Sequence, residues 1–516
     1  MKLERSKNTA RNYFFGAIAK TYDLLIPFLM RTVLIYFLGE KYAGLNGLFT
    51  SILSVLNLAE LGVGSALVFS MYKPLAEDDD EKICALMQLY KHYYRIIGAV
   101  ILVLGVILTP FLPHLINDEL PPGANLYVLY YMNLAATVLT YWLFAYKNCL
   151  INVHQRNDIT DKIGYIINTV KYVLQIVVLT AFKSYYLYLL VGLVMGVVFN
   201  ITTACVVDKR YPQFKARGMI SKEEKQVINR RVRDLFTAKV GGIVSHSADT
   251  IVISAFLNLT ILTHYQNYYF ILNAVLGFVT LITASSRSGI GNSIVTETPE
   301  KNYNDFKKLT FVFAWIGIFC TCCLACLYQP FIEIWQGKDS LLSFNIVITL
   351  CVYFFVTEMM SLMLVYKDAS GMWHQDRFRP LITSLTNLVV NLILVQFWEL
   401  YGVLLSTVFS IVFVGMPWLL YNLFTTIFHR KPKEYIIALL KYTCLAVAIT
   451  AACIFVTNYI VLNSLILTFL IRLAVCMVLP NLLMFLLFRK KNEFKELVRM
   501  VISLTKGKFK ILNKLL

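Results

Sequence analysis

The chain has 516 residues, 58% of them hydrophobic, and a formal net charge of +18. Apolar runs of about 18 residues or more recur from end to end, which excludes a soluble globule and reads as a polytopic helical membrane protein. The basic residues sit in loops beside those runs, where the positive-inside rule accounts for them, so nucleic acid is not an expected partner.

The predicted spans are 12–38, 45–72, 88–112, 124–147, 159–182, 185–207, 235–257, 265–290, 306–330, 342–366, 380–397, 401–428, 434–458 and 463–488. That makes an all-α protein of about fourteen transmembrane helices. Its basic start leads into a span too long for a signal-peptide core, so no removal is expected.

Span 1 carries Lys20, Asp23, Pro27 and Arg31, and span 2 carries Glu60. At 100° per residue Lys20, Pro27 and Arg31 fall within about 40° of one another, with Asp23 roughly 60° to one side. Asn46, Asn57, Glu60 and Gly64 share a face of span 2. Charge at membrane depth is costly and turns toward a bundle interior or a watery cavity, so these two helices predict a hydrophilic wall. Lys171 lies within span 5.

Orientation follows from the loops. The N-terminus, the 208–234 loop, residues 429–433 and the C-terminal tail are rich in Lys and Arg. The opposite side offers little beyond Lys41, Lys183 and Lys338. Both termini are therefore expected to be cytoplasmic, in the cytoplasmic membrane of a bacterium. The SKEEKQVINRRVRDLF stretch of the 208–234 loop reads as an amphipathic helix on the anionic inner leaflet, and the basic tail as another.

The second half repeats the first. Lys20 and Lys239 are 219 positions apart, as are Glu81-Lys82 and Glu300-Lys301. Pro110-Phe111 and Pro330-Phe331 are 220 apart, and so are Tyr146-Lys147 with His154-Gln155 and Tyr366-Lys367 with His374-Gln375. Gly62-Val-Gly64 matches Gly289-Ile-Gly291 at 227. Such a series marks an internal repeat with six spans between equivalent points, and hence two lobes of the same topology. The expected organisation is an N-lobe at 1–207, a basic amphipathic linker at 208–234, a C-lobe at 235–432, two further spans at 433–488 and a basic amphipathic tail at 489–516.

The second lobe echoes the polar stripe: Lys239, Gly242, His246 and Asp249 share a face of span 7. Arg287 lies toward the basic end of span 8, and Glu358 within span 10. Two readings stay open for Arg31, Lys20, Lys239, Arg287 and Lys171. They bind an anionic headgroup, or they pair internally, Arg31 with Glu60 for example. Asp23, Glu60, His246, Asp249 and Glu358 are candidates for coupling to a proton or sodium gradient, with helix–helix hydrogen bonding as the alternative. The paired glycines read as close helix contacts.

Eleven cysteines sit mostly within spans, which suits reduced thiols. Cys320, Cys322, Cys323 and Cys326 read as packing rather than a metal site, and no cofactor is expected. Asn258-Leu-Thr260 is a formal glycosylation sequon. No phosphate-cradling, HExxH or dinucleotide motif is present, and no loop on the less charged side exceeds about fifteen residues. An enzyme, including a membrane glycan polymerase or ligase, is therefore not expected.

Tyr42-Ala-Gly-Leu-Asn-Gly-Leu-Phe49, Leu58-Ala-Glu-Leu-Gly-Val-Gly-Ser-Ala66 and Ser288-Gly-Ile-Gly-Asn-Ser293 carry a resemblance. The chain is similar to polysaccharide transporters of the multidrug/oligosaccharidyl-lipid/polysaccharide (MOP) exporter superfamily, and within it to Wzx-type flippases. The resemblance implies twelve core helices in two lobes forming a V, like the MATE exporters, plus two extra helices. It implies alternating access and a polyprenyl-pyrophosphate-linked oligosaccharide as cargo, with a polysaccharide polymerase and other assembly proteins as partners. Arg31 and Ala59-Glu60 fall near an arginine and an acidic residue of related lipid II flippases, without that group's fuller set of helix-1 arginines. A multidrug exporter of the same fold is the rival reading.

Overall fold

The computed structural model describes residues 5–504, with side chains from Thr21 onward except at 234, 237–239, 245–246, 281–282, 284–285, 288, 500–501 and 503–504. Among the described residues the chain is helical throughout, with no strand. The first stretch of chain forms α1 (Arg5–Leu38), α2 (Glu40–Leu56), α3 (Val63–Ala76), α4 (Asp80–Leu108), α5 (Leu126–Trp142), α6 (Asn148–Val153), α7 (Asn157–Phe182), α8 (Tyr185–Arg210) and α9 (Lys222–Phe256). There follow α10 (Leu259–Thr296), α11 (Pro299–Gln336), α12 (Phe344–Ala369), α13 (Trp373–Asp376), α14 (Arg379–Ser410), α15 (Met416–Thr426), α16 (Lys433–Asn458), α17 (Leu465–Phe488) and α18 (Asn492–Leu504).

Small polar residues start these helices because their side chains satisfy the first free backbone amides. Asp79 accepts from the Lys82 amide at 2.9 Å, and Asn125 from those of Tyr127 and Val128 at 3.1 and 3.2 Å. Asn258, the sequon asparagine, accepts from the Ile261 amide at 2.7 Å and so begins α10. Thr298 caps α11, with Pro299 at the first helical position.

Among the described residues ten helical stretches are long and apolar enough to cross a membrane, or eleven with the bent pair 126–142 and 145–153, angled at 46°, taken as one. This is fewer than the predicted fourteen, for identifiable reasons. Predicted spans 11 and 12 form one apolar stretch, Trp373–Thr426, broken at Glu399, whose φ is 49°. Predicted spans 7 and 8 lie in α9 and α10, and α9 contributes only a shorter apolar segment, Val240–Phe256.

The chain divides into two compact units, Met1–Thr263 and His264–Leu516. The repeat placed span 7 with the second lobe, whereas by packing its helix α9 lies with the first unit, against α2 and α3. The SKEEKQ stretch also differs from its reading. It is the start of α9, running without interruption into span 7. Polar docking holds it to the first unit: Lys82 pairs with Glu224 at 2.5 Å, the Tyr93 hydroxyl donates to Asn229 at 2.6 Å, and Arg231 donates to the Ser70 hydroxyl at 3.2 Å.

Helix α11 is the spine of the second unit and packs on α12, α16, α17 and α18. Phe306, Tyr303, Tyr366, Phe424, Phe428 and Tyr435 form an aromatic cluster within its core. Cys322, Cys326, Cys453 and Cys476 are buried in the same core, and the described cysteines are free thiols. Phe494 and Val498 of α18 are buried there too, with Lys308 bridging to Glu496 at 2.7 Å, so this tail helix turns apolar residues onto the protein.

Candidate functional site

Span 1 becomes the described part of α1, and its polar residues part company. Asp23 lines a cavity of about 430 Å³ in the first unit, with Asp161, Tyr165, Asn168 and Lys171 of α7 and Gly192 of α8. There the Lys171 ammonium donates to Asn168 at 3.0 Å and lies 4.3 Å from the centre of the Tyr172 ring. Nearby the hydroxyls of Tyr22 and Thr169 are 3.0 Å apart, which ties α1 to α7. Asp23 and Lys171, named from separate spans, thus face one polar cavity.

Arg31 lies two turns further along α1, half-buried, and donates to the Thr263 carbonyl at 3.1 Å. The Thr263 hydroxyl in turn donates to the Glu40 carbonyl at 2.7 Å. At this level Gly44 of α2 presses on α10: a Cβ there would stand 2.4 Å from the Leu259 carbonyl oxygen. Lys41 bridges to Asp118 at 2.7 Å on the same side.

Glu60 sits where α2 breaks before α3, and Gly62 takes a left-handed φ of 87° at that break. Its carboxylate accepts from the Tyr94 hydroxyl at 3.1 Å, and the Tyr94 and Tyr90 hydroxyls are 3.0 Å apart. Tyr141 packs edge-on to Tyr94 at 5.4 Å and donates to Asn57 at 3.3 Å. Asn46, also on the predicted polar face, accepts from the Tyr185 hydroxyl at 3.1 Å. The tyrosines around Glu60 and Asn57 were not singled out from sequence. Tyr90 and Tyr94 are spaced i, i+4 on α4, which signals one shared face but does not identify its partner.

Of the paired glycines, Gly62 and Gly64 have close neighbours, the Leu235 Cβ and the Tyr90 hydroxyl. A Cβ on Gly291 would meet only ordinary contacts, and one on Gly289 nothing within 4 Å. Asp249 is buried on α9. The side chains of Lys20, Lys239 and His246 lie outside those described.

In the second unit, Arg287 bridges to Asp368 at 3.0 Å while remaining exposed, and Lys367 also reaches Asp368 at 2.6 Å. Glu358 is buried at the middle of α12. Helices α10, α11 and α17 enclose a groove of about 560 Å³ whose lining includes Ile271, Phe278, Phe319, Cys320, Leu327 and Phe469. All of its lining residues are apolar, aromatic or cysteine, which suits a hydrocarbon chain and no charged group. Of the predicted cations with described side chains, Lys171 and Arg31 lie in the first unit and Arg287 in the second.

No family model matches the chain, and no curated relative matches it. Solved structures do. The lipid II flippase MurJ in an inward closed conformation superposes with a TM-score of 0.69 at 15% identity, over 92% of this chain and 99% of that one. An inward-facing multidrug resistance MATE transporter of the MOP superfamily gives 0.61 at 12% identity, over 77% of this chain and 93% of that one. The Vibrio cholerae MATE transporter VcmN gives 0.52 at 13% identity, over 82% and 99%. The chain is a multi-pass helical membrane protein with the fold of MurJ and the MATE transporters.

Proposed function

We propose that this chain is a MOP-superfamily flippase that moves polyprenyl-pyrophosphate-linked oligosaccharide repeat units from the cytoplasmic to the outer leaflet by alternating access. The observation that carries the reading is the apolar groove of about 560 Å³ bounded by α10, α11 and α17. A polyprenyl tail needs such an apolar surface, and a small soluble cargo does not. A pyrophosphate headgroup calls for cations and hydrogen-bond donors, and within the first unit Lys171, Asn168 and Tyr165 line a polar cavity of that chemistry.

In this reading the basic loops and both termini face the cytoplasm of a bacterial cell, and the sugar is handed to an outer-leaflet polymerase. The protein moves its cargo without changing a covalent bond in it. A multidrug exporter is the alternative that the MATE likeness supports, but cationic drugs would meet Lys171 and Arg31 unfavourably.

Deleting the gene and profiling lipid-linked saccharides tests the proposal. Complete repeat units should accumulate with their sugars accessible only from the cytoplasmic side. Unchanged lipid-linked pools together with new drug sensitivity would replace it by the exporter reading.

A further inference from the structure

Glu358 is 0% exposed, and among the described residues neither of its carboxyl oxygens has a hydrogen-bond partner. It lies near the middle of α12, a helix long and apolar enough to cross a membrane. A carboxylate stripped of water and left without a partner is far costlier than the neutral acid. Helix α11 packs closely beside it: a Cβ on Gly317 would stand 3.3 Å from the Phe355 ring and 3.4 Å from the Glu358 side chain.

One turn along α11 from Gly317, Cys320 lines the apolar groove. Thr321 beside it, and Thr357 next to the acid, carry buried hydroxyls that likewise have no partner among the described residues. Helices α14 and α15 also pack on α12. The charged groups of α14 are Arg379, bound to Asp376, and Glu399 at the helix break, and α15 has none. The other coupling candidates differ: Asp23 opens into a polar cavity, and Glu60 is held by Tyr94.

We propose that Glu358 is the proton-carrying site of this protein, an acid that is loaded in the arrangement seen here and unloaded in another. The inference rests on the transporter reading. The chemistry is one O–H bond: a carboxylate oxygen takes a proton from hydronium on one side of the membrane and returns it to water on the other. Release requires water at the site, and so an arrangement in which α11 and α12 part. The neutral acid favours the closed packing and the carboxylate the hydrated one, which is how a proton gradient biases the exchange. Cys320 places this site directly behind the groove wall.

Infrared difference spectra of the full chain in lipid at neutral pH test the site itself. They should show a protonated carboxyl band that disappears in Glu358→Gln, while that neutral isostere keeps the wild-type melting temperature. A spectrum unchanged by the substitution overturns the proposal. Transport is then read in proteoliposomes with a fluorescent polyprenyl-pyrophosphate disaccharide. An imposed gradient of one pH unit should accelerate the wild type by up to about tenfold, and in Glu358→Gln the ratio of rates with and without the gradient should fall to one. Acceleration by a sodium gradient alone, or an equal pH response in both proteins, overturns the coupling role. A wild type that moves no probe sinks the flippase reading, and the infrared band still decides whether Glu358 holds a proton.

Discussion

The guanidinium of Arg31 and the backbone carbonyl of Thr263 meet at 3.1 Å, a contact between the two halves of the sequence repeat that lies within one compact unit. Arg31 thereby ties α1 to the start of α10. Arg31→Ala removes tie and charge together, and flipping should fall by at least about tenfold, equivalent to roughly 1.4 kcal/mol. Arg31→Lys keeps the charge without the planar fork, so it should retain the melting temperature while losing part of the rate. Parallel losses of rate and melting temperature in both variants would reduce Arg31 to a structural tie.

A second prediction concerns buried ion pairs. Arg379 donates to Asp376 through Nε at 2.7 Å and Nη2 at 2.9 Å, both side chains are under 10% exposed, and Lys367 is 3.8 Å away. Asp376→Ala leaves the buried Arg379 without its acid, while Lys367 keeps Asp368 at 2.6 Å, and should destabilise the second unit by about 3–5 kcal/mol. The repeat equivalent of Lys367 is Lys147, which pairs with Asp208 at 2.5 Å, but Asp208 is 58% exposed. Asp208→Ala should cost less than about 1 kcal/mol. Thermal unfolding of the two variants in detergent checks the contrast, and equal losses would contradict it.

Gly44 provides a steric test. A Cβ at this position meets the Leu259 carbonyl oxygen at 2.4 Å, whereas one at Gly196 of α8 meets nothing within 4 Å. Gly44→Ala should force α2 from α10 at a cost of roughly 1–3 kcal/mol, and Gly196→Ala should be close to neutral. The amount of folded protein recovered from membranes measures both, and a Gly44→Ala protein as abundant as wild type would refute the close contact.

The apolar groove makes a chain-length prediction. Val275 lines it, and Val275→Trp fills part of its volume. Transport of a long-chain polyprenyl-pyrophosphate saccharide should drop by roughly tenfold, the worth of about two buried methylenes, with a smaller effect on a short-chain analogue. Equal effects on both chain lengths would separate the groove from the tail.

Much of the fold was legible in the sequence because membrane spans declare themselves by length and apolarity, and because the offset near 220 residues links matching segments. Both Tyr146-Lys147 and Tyr366-Lys367 indeed end in a buried tyrosine and a salt-bridged lysine before a short helix. The continuity of α9 was harder to see. Its polar start resembles a surface helix in composition, and the groups that hold it, Lys82, Tyr93 and Ser70, are more than a hundred residues away in sequence.

Among the candidate site residues, Glu358 stood out as an acid in an apolar helix, and it is buried as such. Periodicity places a residue on a face but does not say which helix meets it. The sequence therefore left Arg287 open between a headgroup cation and an internal pair, its bridge to Asp368 could not be read from spacing, and the phenols beside Glu60 went unremarked.

The most direct test of the central claim is sidedness in a reconstituted membrane. Purified protein would be incorporated into vesicles carrying a polyprenyl-pyrophosphate disaccharide in both leaflets, and an impermeant glycosyl-modifying enzyme would be added outside. Transport by this protein predicts that the enzyme modifies nearly the whole pool, against about half in protein-free vesicles, and that Arg31→Ala slows the second half. Modification that stops at half with folded wild-type protein present would contradict the account.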